Sequence, residues 1–164
     1  MSDRNKVGPE SVPPLQTKFE LTGVPQLDMV LGGGIPQGAL SIIVGPPGSG
    51  KTTLACQIAF SAAKRGESVM LLTALSEPTT TLLSHLRSYN FFDATLIGST
   101  VQVYSLKQFL PQGVAATSQE IVAAVRQTNA QVVVLDGFQS IRSMEPDFEF
   151  AWNDNLDYDR SRSA

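Results

Sequence analysis

Three short stretches carry residues whose types and spacing could do chemistry. The first is "GPPGSGKTT", residues 45–53, which meets the spacing GxxxxGK[ST] with Gly45, Gly50, Lys51 and Thr52. Glycines at those points let the backbone wrap closely enough for its amides to face phosphate oxygens, and a helix starting just after adds the positive end of its dipole. Lys51 would reach the β- and γ-phosphates as a point charge, and the Thr52 hydroxyl would take one position on Mg²⁺. The candidate nucleotide-binding residues are therefore Gly45, Pro46, Pro47, Gly48, Ser49, Gly50, Lys51, Thr52 and Thr53. The second stretch, "VVVLD", ends in Asp136, a carboxylate at the tip of an apolar run that could hold the same Mg²⁺ through a water. The third, "TALSEP", places Glu77 after another apolar run and before Pro78. An ionised Glu there could line up a water on a γ-phosphorus. It could equally be an exposed acid favoured by a helix dipole, and spacing alone leaves the two readings level.

These groups act together only if the chain brings them to one place. "ALSIIV" at 39–44, "VMLL" at 69–72, "VQVY" at 101–104 and "VVVL" at 132–135 read as buried strands. Between them, 51–64 predicts a helix with Leu54, Ala55, Ile58, Ala59 and Ala62 on one stripe, and 78–90 a second with Leu82, Leu83 and Leu86 inward. Thr117 and Glu120 read as a capping box ahead of Ile121, Val122 and Val125 in a third. Leu27, Val30 and Leu31 suggest a short helix stopped by "GGG" at 32–34, followed by a turn at "IPQG". Continuous apolar strands alternating with helices imply a three-layer α/β domain around a mainly parallel sheet. Ligands of such sheets sit at the carboxyl tips of the strands, just where the three stretches fall.

Composition bounds the rest. A chain of 164 residues with 42% hydrophobic content suits one domain. Net charge is −3, of which the acidic tail 145–164 carries −4, leaving no general electrostatic footprint for a nucleic acid. The lone Cys56 fits a reducing compartment, and neither a signal peptide nor a membrane span stands out, so the expectation is a cytoplasmic protein without membrane contact. The division expected is a loose arm at 1–18, a core at 19–143 and an irregular acidic tail at 144–164.

Competing readings are weaker. A dinucleotide fingerprint needs GxGxxG, which is absent. "LGGGIPQG" is not a second cradle, because a proline and a strand follow it rather than a helix. Cys56 reads as filler against the sheet and His85 as a structural residue without a metal-ligating partner, while Arg87 reads as a solvated helix position, with a contact to nucleotide or to a neighbouring subunit as the alternative. Trp152, among acids, has no assignable role.

With these residues in view, the chain resembles the KaiC/RadA branch of the RecA-like ATPases. "TGVPQLDMVLGGGIPQGALSIIVGPPGSGKTTLACQIAF", 22–60, is similar to the long opening segment of that family and its P-loop. "LTALSEPTTTLLSHLRSYNFFD", 72–93, follows the family's strand with an acidic pair and an Arg ten residues past the second acid; here that Arg is Arg87. By this register Glu77 takes the place of the catalytic Glu, and Ser76 replaces the first acid. "VVVLDGFQSI", 132–141, resembles the Walker B strand, with Ser140 at a small hydroxyl position.

The resemblance implies a RecA-like P-loop fold whose sheet lacks its C-terminal part, since only 28 residues follow Asp136 and family members continue well beyond. Such a chain is expected to be a fragment, a frameshift product or a natural short variant, with an open, aggregation-prone sheet edge. The resemblance also implies ATP and Mg²⁺ as ligands, Lys51 and Glu77 as catalytic residues, Thr52 and Asp136 at the metal, and a homo-oligomeric ring, a hexamer, at full length. A nucleotide-dependent assembly or signalling module with little turnover, or an autokinase acting on its own Ser or Thr as KaiC does, stays open beside ATP hydrolysis.

Overall fold

Apolar runs long enough for five-residue strands but not for helices pair here as expected. The computed structural model describes residues 18–73, 79–109 and 114–137. Its main sheet has three parallel strands, β3 (Val69–Thr73), β4 (Val101–Ser105) and β5 (Val132–Leu135), in the spatial order β4-β3-β5. Val69 stands opposite Val101 on one side and Val132 on the other, so the strands are in step and end together at Thr73, Ser105 and Leu135. A small antiparallel ladder joins β1 (Phe19–Glu20) to β2 (Ile35–Pro36), with α1 (Pro25–Val30) between them.

Period-two alternation in β3 divides the core. Val69 and Leu71 face one side, where they meet Cys56, Ala59, Phe60 and Ala63 of α2 (Lys51–Lys64) and Leu82 and Leu86 of α3 (Thr79–Leu86). Met70 and Leu72 face the other, with Leu106, Phe109 and the Ile121, Ala124 and Val125 side of α4 (Val114–Thr128). That is the three-layer α/β/α arrangement. Each large apolar side chain so enclosed contributes about 1.5–3 kcal/mol relative to exposure. Cys56 is fully buried in the first cluster, in line with a space-filling role.

Several local expectations change. The α2 stripe is wider than read from spacing, since Cys56, Phe60 and Ala63 are buried as well while Leu54 and Ala55 are only half-buried. The reason is that Phe60 also packs on the rings of Phe91 and Phe92, with centroids 6.3 and 5.1 Å away. Within the described residues α3 ends at Leu86, short of residue 90, in a turn where the Tyr89 amide donates to Leu86 O at 3.0 Å. Pro78, expected in its first turn, lies outside the described residues. The capping box fails. Helix α4 begins at Val114, so Thr117 is inside it, and the buried Thr117 hydroxyl donates back to Phe109 O at 2.7 Å. "IPQG" is part strand, as Ile35 and Pro36 pair with β1 before the turn. Helix α1 forms and is closed by the glycines, the Gly33 amide reaching Asp28 O at 2.8 Å with φ of 131° at Gly33. Of the three apolar residues that suggest it, Leu27 is half-buried and Val30 and Leu31 are exposed.

The largest departure concerns residues 39–44. They form no strand, and their side chains lie open: Leu40 is 72%, Ile42 69% and Val44 86% exposed. Among the described residues no backbone hydrogen bond joins 40–44 to another segment. Strand β5, which ends at the Asp136 tip, is paired only with β3 among those residues. The apolar run has the composition of a buried strand, but it pairs with no described strand. Among the described residues no helix is long and apolar enough to cross a membrane.

Candidate functional site

The loop after Val44 is shaped by its glycines. Gly48 and Gly50 hold φ of 76° and 83°, a left-handed region that a side chain disfavours, and Gly50 stands at the N-cap of α2. A Cβ on Gly45 would lie 2.7 Å from Ser49 Oγ, so the loop closes on itself at its first residue. The Ser49 amide donates to Pro46 O at 3.2 Å, completing the turn.

Lys51, first residue of α2, folds back over that loop. Its ammonium donates to Gly45 O at 2.9 Å and to Pro46 O at 2.8 Å, which fixes the charge above the concave side of the turn. The next residue turns toward the sheet. Thr52 Oγ1 lies 3.1 and 3.0 Å from the two Asp136 oxygens and donates to that carboxylate. Asp136 is held in place because its own amide donates to Leu72 O at 2.9 Å, continuing the β5–β3 ladder one residue past the strand. Asp136, more than eighty residues from Lys51 and Thr52 in sequence, is thus brought to them at the carboxyl rim of the sheet.

The donor set suits a hard cation. One hydroxyl and one half-buried carboxylate converge on a single point, and both are oxygen donors of the kind Mg²⁺ takes. Among the described residues no group of three His, Cys, Asp or Glu could hold a metal ion.

Beside the loop a cavity of about 570 Å³ opens between the first turn of α2 and the end of α3. Thr52 and Thr53 line it on one side, and His85, Ser88 and Tyr89 on the other. Tyr89 is stacked on Phe91, with centroids 5.3 Å apart and planes 22° from parallel. Spacing gave no signal for these three residues, because only the packing of α3 across α2 brings them near the loop. A second cavity of about 340 Å³ on the outer face of α4, lined by Ser118, Val122 and Arg126, shares no residue with the loop.

Glu77 and Ser76 lie outside the described residues, as does Ser140. Arg87 is exposed just past α3, in keeping with a solvated position.

A phosphate-type loop running from an extended segment into a helix, on a three-layer domain with a carboxylate at the neighbouring rim, defines a RecA-like P-loop protein. The family model for the KaiC ATPase matches residues 21–149, and the chain belongs to that family. Among curated proteins it is 33% identical over 124 residues to the DNA repair and recombination protein RadB of Archaeoglobus fulgidus, which is 76% of this chain and 52% of RadB. It is 50% identical over 54 residues to the DNA repair protein RadA of Synechocystis sp., or 33% of this chain and 11% of RadA. Protein RecA of Clostridium botulinum is 44% identical over 70 residues, 42% of this chain and 19% of RecA. The chain thus spans about half of RadB and smaller parts of the other two.

Proposed function

We propose that this domain binds ATP with Mg²⁺ and that Glu77 makes it an ATP hydrolase. One observation carries the reading: Lys51 and Thr52, consecutive at one helix start, respectively fold over the loop and meet Asp136 past the end of β5, at the rim where a triphosphate would rest on the loop amides. The loop Gly45–Thr53 would accept the phosphates, with Lys51 exchanging its carbonyl partners in part for phosphate oxygens. Thr52 and Asp136 would hold Mg²⁺, which when bound supplies charge neutralisation on the phosphates. The cavity beside Thr53, with Tyr89 in its lining, has the size to receive the nucleoside.

Glu77 follows the end of β3 by four residues, and β3 is the direct neighbour of β5. Short reach from that rim supports its role in orienting the attacking water, which matters because phosphoryl transfer is catalysed mainly by positioning and electrostatics. The test is turnover of ATP by the parent and by Glu77→Gln. The expected outcome is retained ATP binding with hydrolysis reduced by about 10²–10⁴. Equal turnover in the two proteins would remove Glu77 from the mechanism.

The exposed apolar segment 39–44 supports a further part of the proposal, that the domain works within an assembly of copies, in which occupancy of the site would alter contacts between subunits. Hydrolysis that is weak and indifferent to Glu77→Gln, with nucleotide-dependent oligomerisation retained, would favour assembly over catalysis. The DNA repair relatives act as their names say; a −3 chain gives no electrostatic argument for carrying nucleic-acid binding across.

A further inference from the structure

Across the larger cavity from Thr52 and Thr53 stand the end of α3 and the turns that follow it, which carry Ser88 and Tyr89. Those turns are tied at each step. Ser88 Oγ donates to His85 O at 2.9 Å, the Tyr89 amide to Leu86 O at 3.0 Å and the Phe92 amide to Tyr89 O at 3.1 Å, so Tyr89 is held by both its N–H and its carbonyl. The ring is braced too. It stacks on Phe91 with centroids 5.3 Å apart, and Phe91 lies 6.3 Å from the ring of Phe60, which is fully buried. Phe60 also holds Phe92 at 5.1 Å. Thr53 and Phe60 are seven residues apart on α2, close to two full turns, and so lie on one side of that helix about 10.5 Å apart along its axis. One helix thus places both walls, the threonines directly and the Tyr89 ring through Phe60 and Phe91. Yet Tyr89 is 43% exposed. Aromatic side chains add to a core mainly by burying area, and a residue braced so closely but left open is placed for a contact that the free chain does not make.

We propose that Tyr89 is the platform on which the base of a purine nucleoside triphosphate stacks, with Phe91 as the residue that positions it. This role for Tyr89 rests on the nucleotide-binding reading of the loop. With the triphosphate on the loop amides and the first turn of α2, the nucleoside enters the cavity of about 570 Å³ that Thr53 and Tyr89 line in common, a volume within the range of small-molecule sites. Phe91 covers one face of the Tyr89 ring, so the base takes what Phe91 leaves free. Stacking reads the face of a base and not its edge. It therefore favours a purine, with its larger fused ring, over a pyrimidine, and separates adenine from guanine little.

The test is titration calorimetry on the full chain with two probes, ATP with Mg²⁺ and inorganic tripolyphosphate with Mg²⁺, the second lacking any nucleoside. The parent is compared with Tyr89→Ala, Tyr89→Phe and Phe91→Leu, and melting followed by circular dichroism checks that each variant folds. Because Tyr89 is exposed, its truncation leaves the core intact. Tyr89→Ala is expected to bind ATP about 5- to 150-fold more weakly, the range for losing one stacked base, and to keep its affinity for tripolyphosphate within about twofold. Tyr89→Phe, which keeps the ring, should bind ATP like the parent. Phe91→Leu should lose part of the ATP affinity with tripolyphosphate unmoved, a split that a plain loss of stability would not produce. CTP should bind the parent more weakly than ATP does, and Tyr89→Ala should narrow that gap. Unchanged ATP affinity in Tyr89→Ala, with a parent that binds both probes, would overturn the platform and leave the nucleotide reading standing, and so would an equal loss of both probes. A folded parent that binds neither probe would overturn both.

Discussion

At the scale of single residues, the account depends on what Thr52 and Asp136 do with their oxygens. Their direct contact at 3.0–3.1 Å is a neutral hydroxyl donating to a carboxylate, and Mg²⁺ would take up both groups. Thr52→Ala and Asp136→Asn should therefore fold like the parent and bind ATP several-fold to tenfold more weakly in Mg²⁺, with a smaller loss in EDTA, where the metal ligands matter less. Titration calorimetry with and without Mg²⁺ checks this, and equal losses under both conditions would argue that the two residues shape the loop rather than hold metal. These two and Lys51 were legible in the sequence because each is tied to an element by fixed spacing: a lysine and threonine at a helix start, an acid one residue past an apolar strand. His85, Ser88 and Tyr89 were not legible as cavity residues, since their nearness to Thr53 depends on how α3 crosses α2.

Among the elements, β3, β4 and β5 follow from short, mainly apolar runs of four or five residues, too short for a helix. Helix α4 was misread at its start because Thr117 has the composition of a cap but uses its hydroxyl on Phe109 O, behind the helix. That use yields a prediction: Thr117→Val, which keeps the shape and removes the donor, should cost about 1–2 kcal/mol in urea unfolding. A cap at Thr117 would instead predict fraying of α4 alone, with the global midpoint unmoved. The β1–β2 ladder makes a second demand. Gly34 has φ of 125° and a Cβ there would meet Glu20 O at 2.4 Å, so Gly34→Ala has no strain-free position. A loss of about 2–3 kcal/mol is expected, against about 1 kcal/mol for Gly32→Ser, where nothing lies within 4 Å and the strain is that of φ alone.

For the molecule as a whole, the decisive feature is the apolar segment at 39–44. Sequence pattern marks it as a buried strand, and in isolation the pattern is right; what it lacks is a pairing partner among the described strands. Burial is a property of the completed sheet, so no periodicity within 39–44 could have signalled its exposure. Four aliphatic side chains open to water, Leu40, Ile42, Ile43 and Val44, in a chain whose β5 pairs only with β3 among the described residues, make self-association the expected behaviour of this chain. Light scattering at tens of micromolar should show growth with concentration that Ile42→Lys suppresses, because a charge there opposes strand addition. A parent that stays monomeric over that range would show that the segment finds cover within its own chain.

The most direct measurement of the central claim is titration of the folded parent and of Lys51→Ala with ATP and Mg²⁺, with circular dichroism confirming that both keep the same helix and strand content. The account predicts saturable binding by the parent and a loss of about a hundredfold or more on removing the ammonium that now sits over Gly45 O and Pro46 O. Equal affinity in the two proteins, or no binding by a well-folded parent, would contradict it.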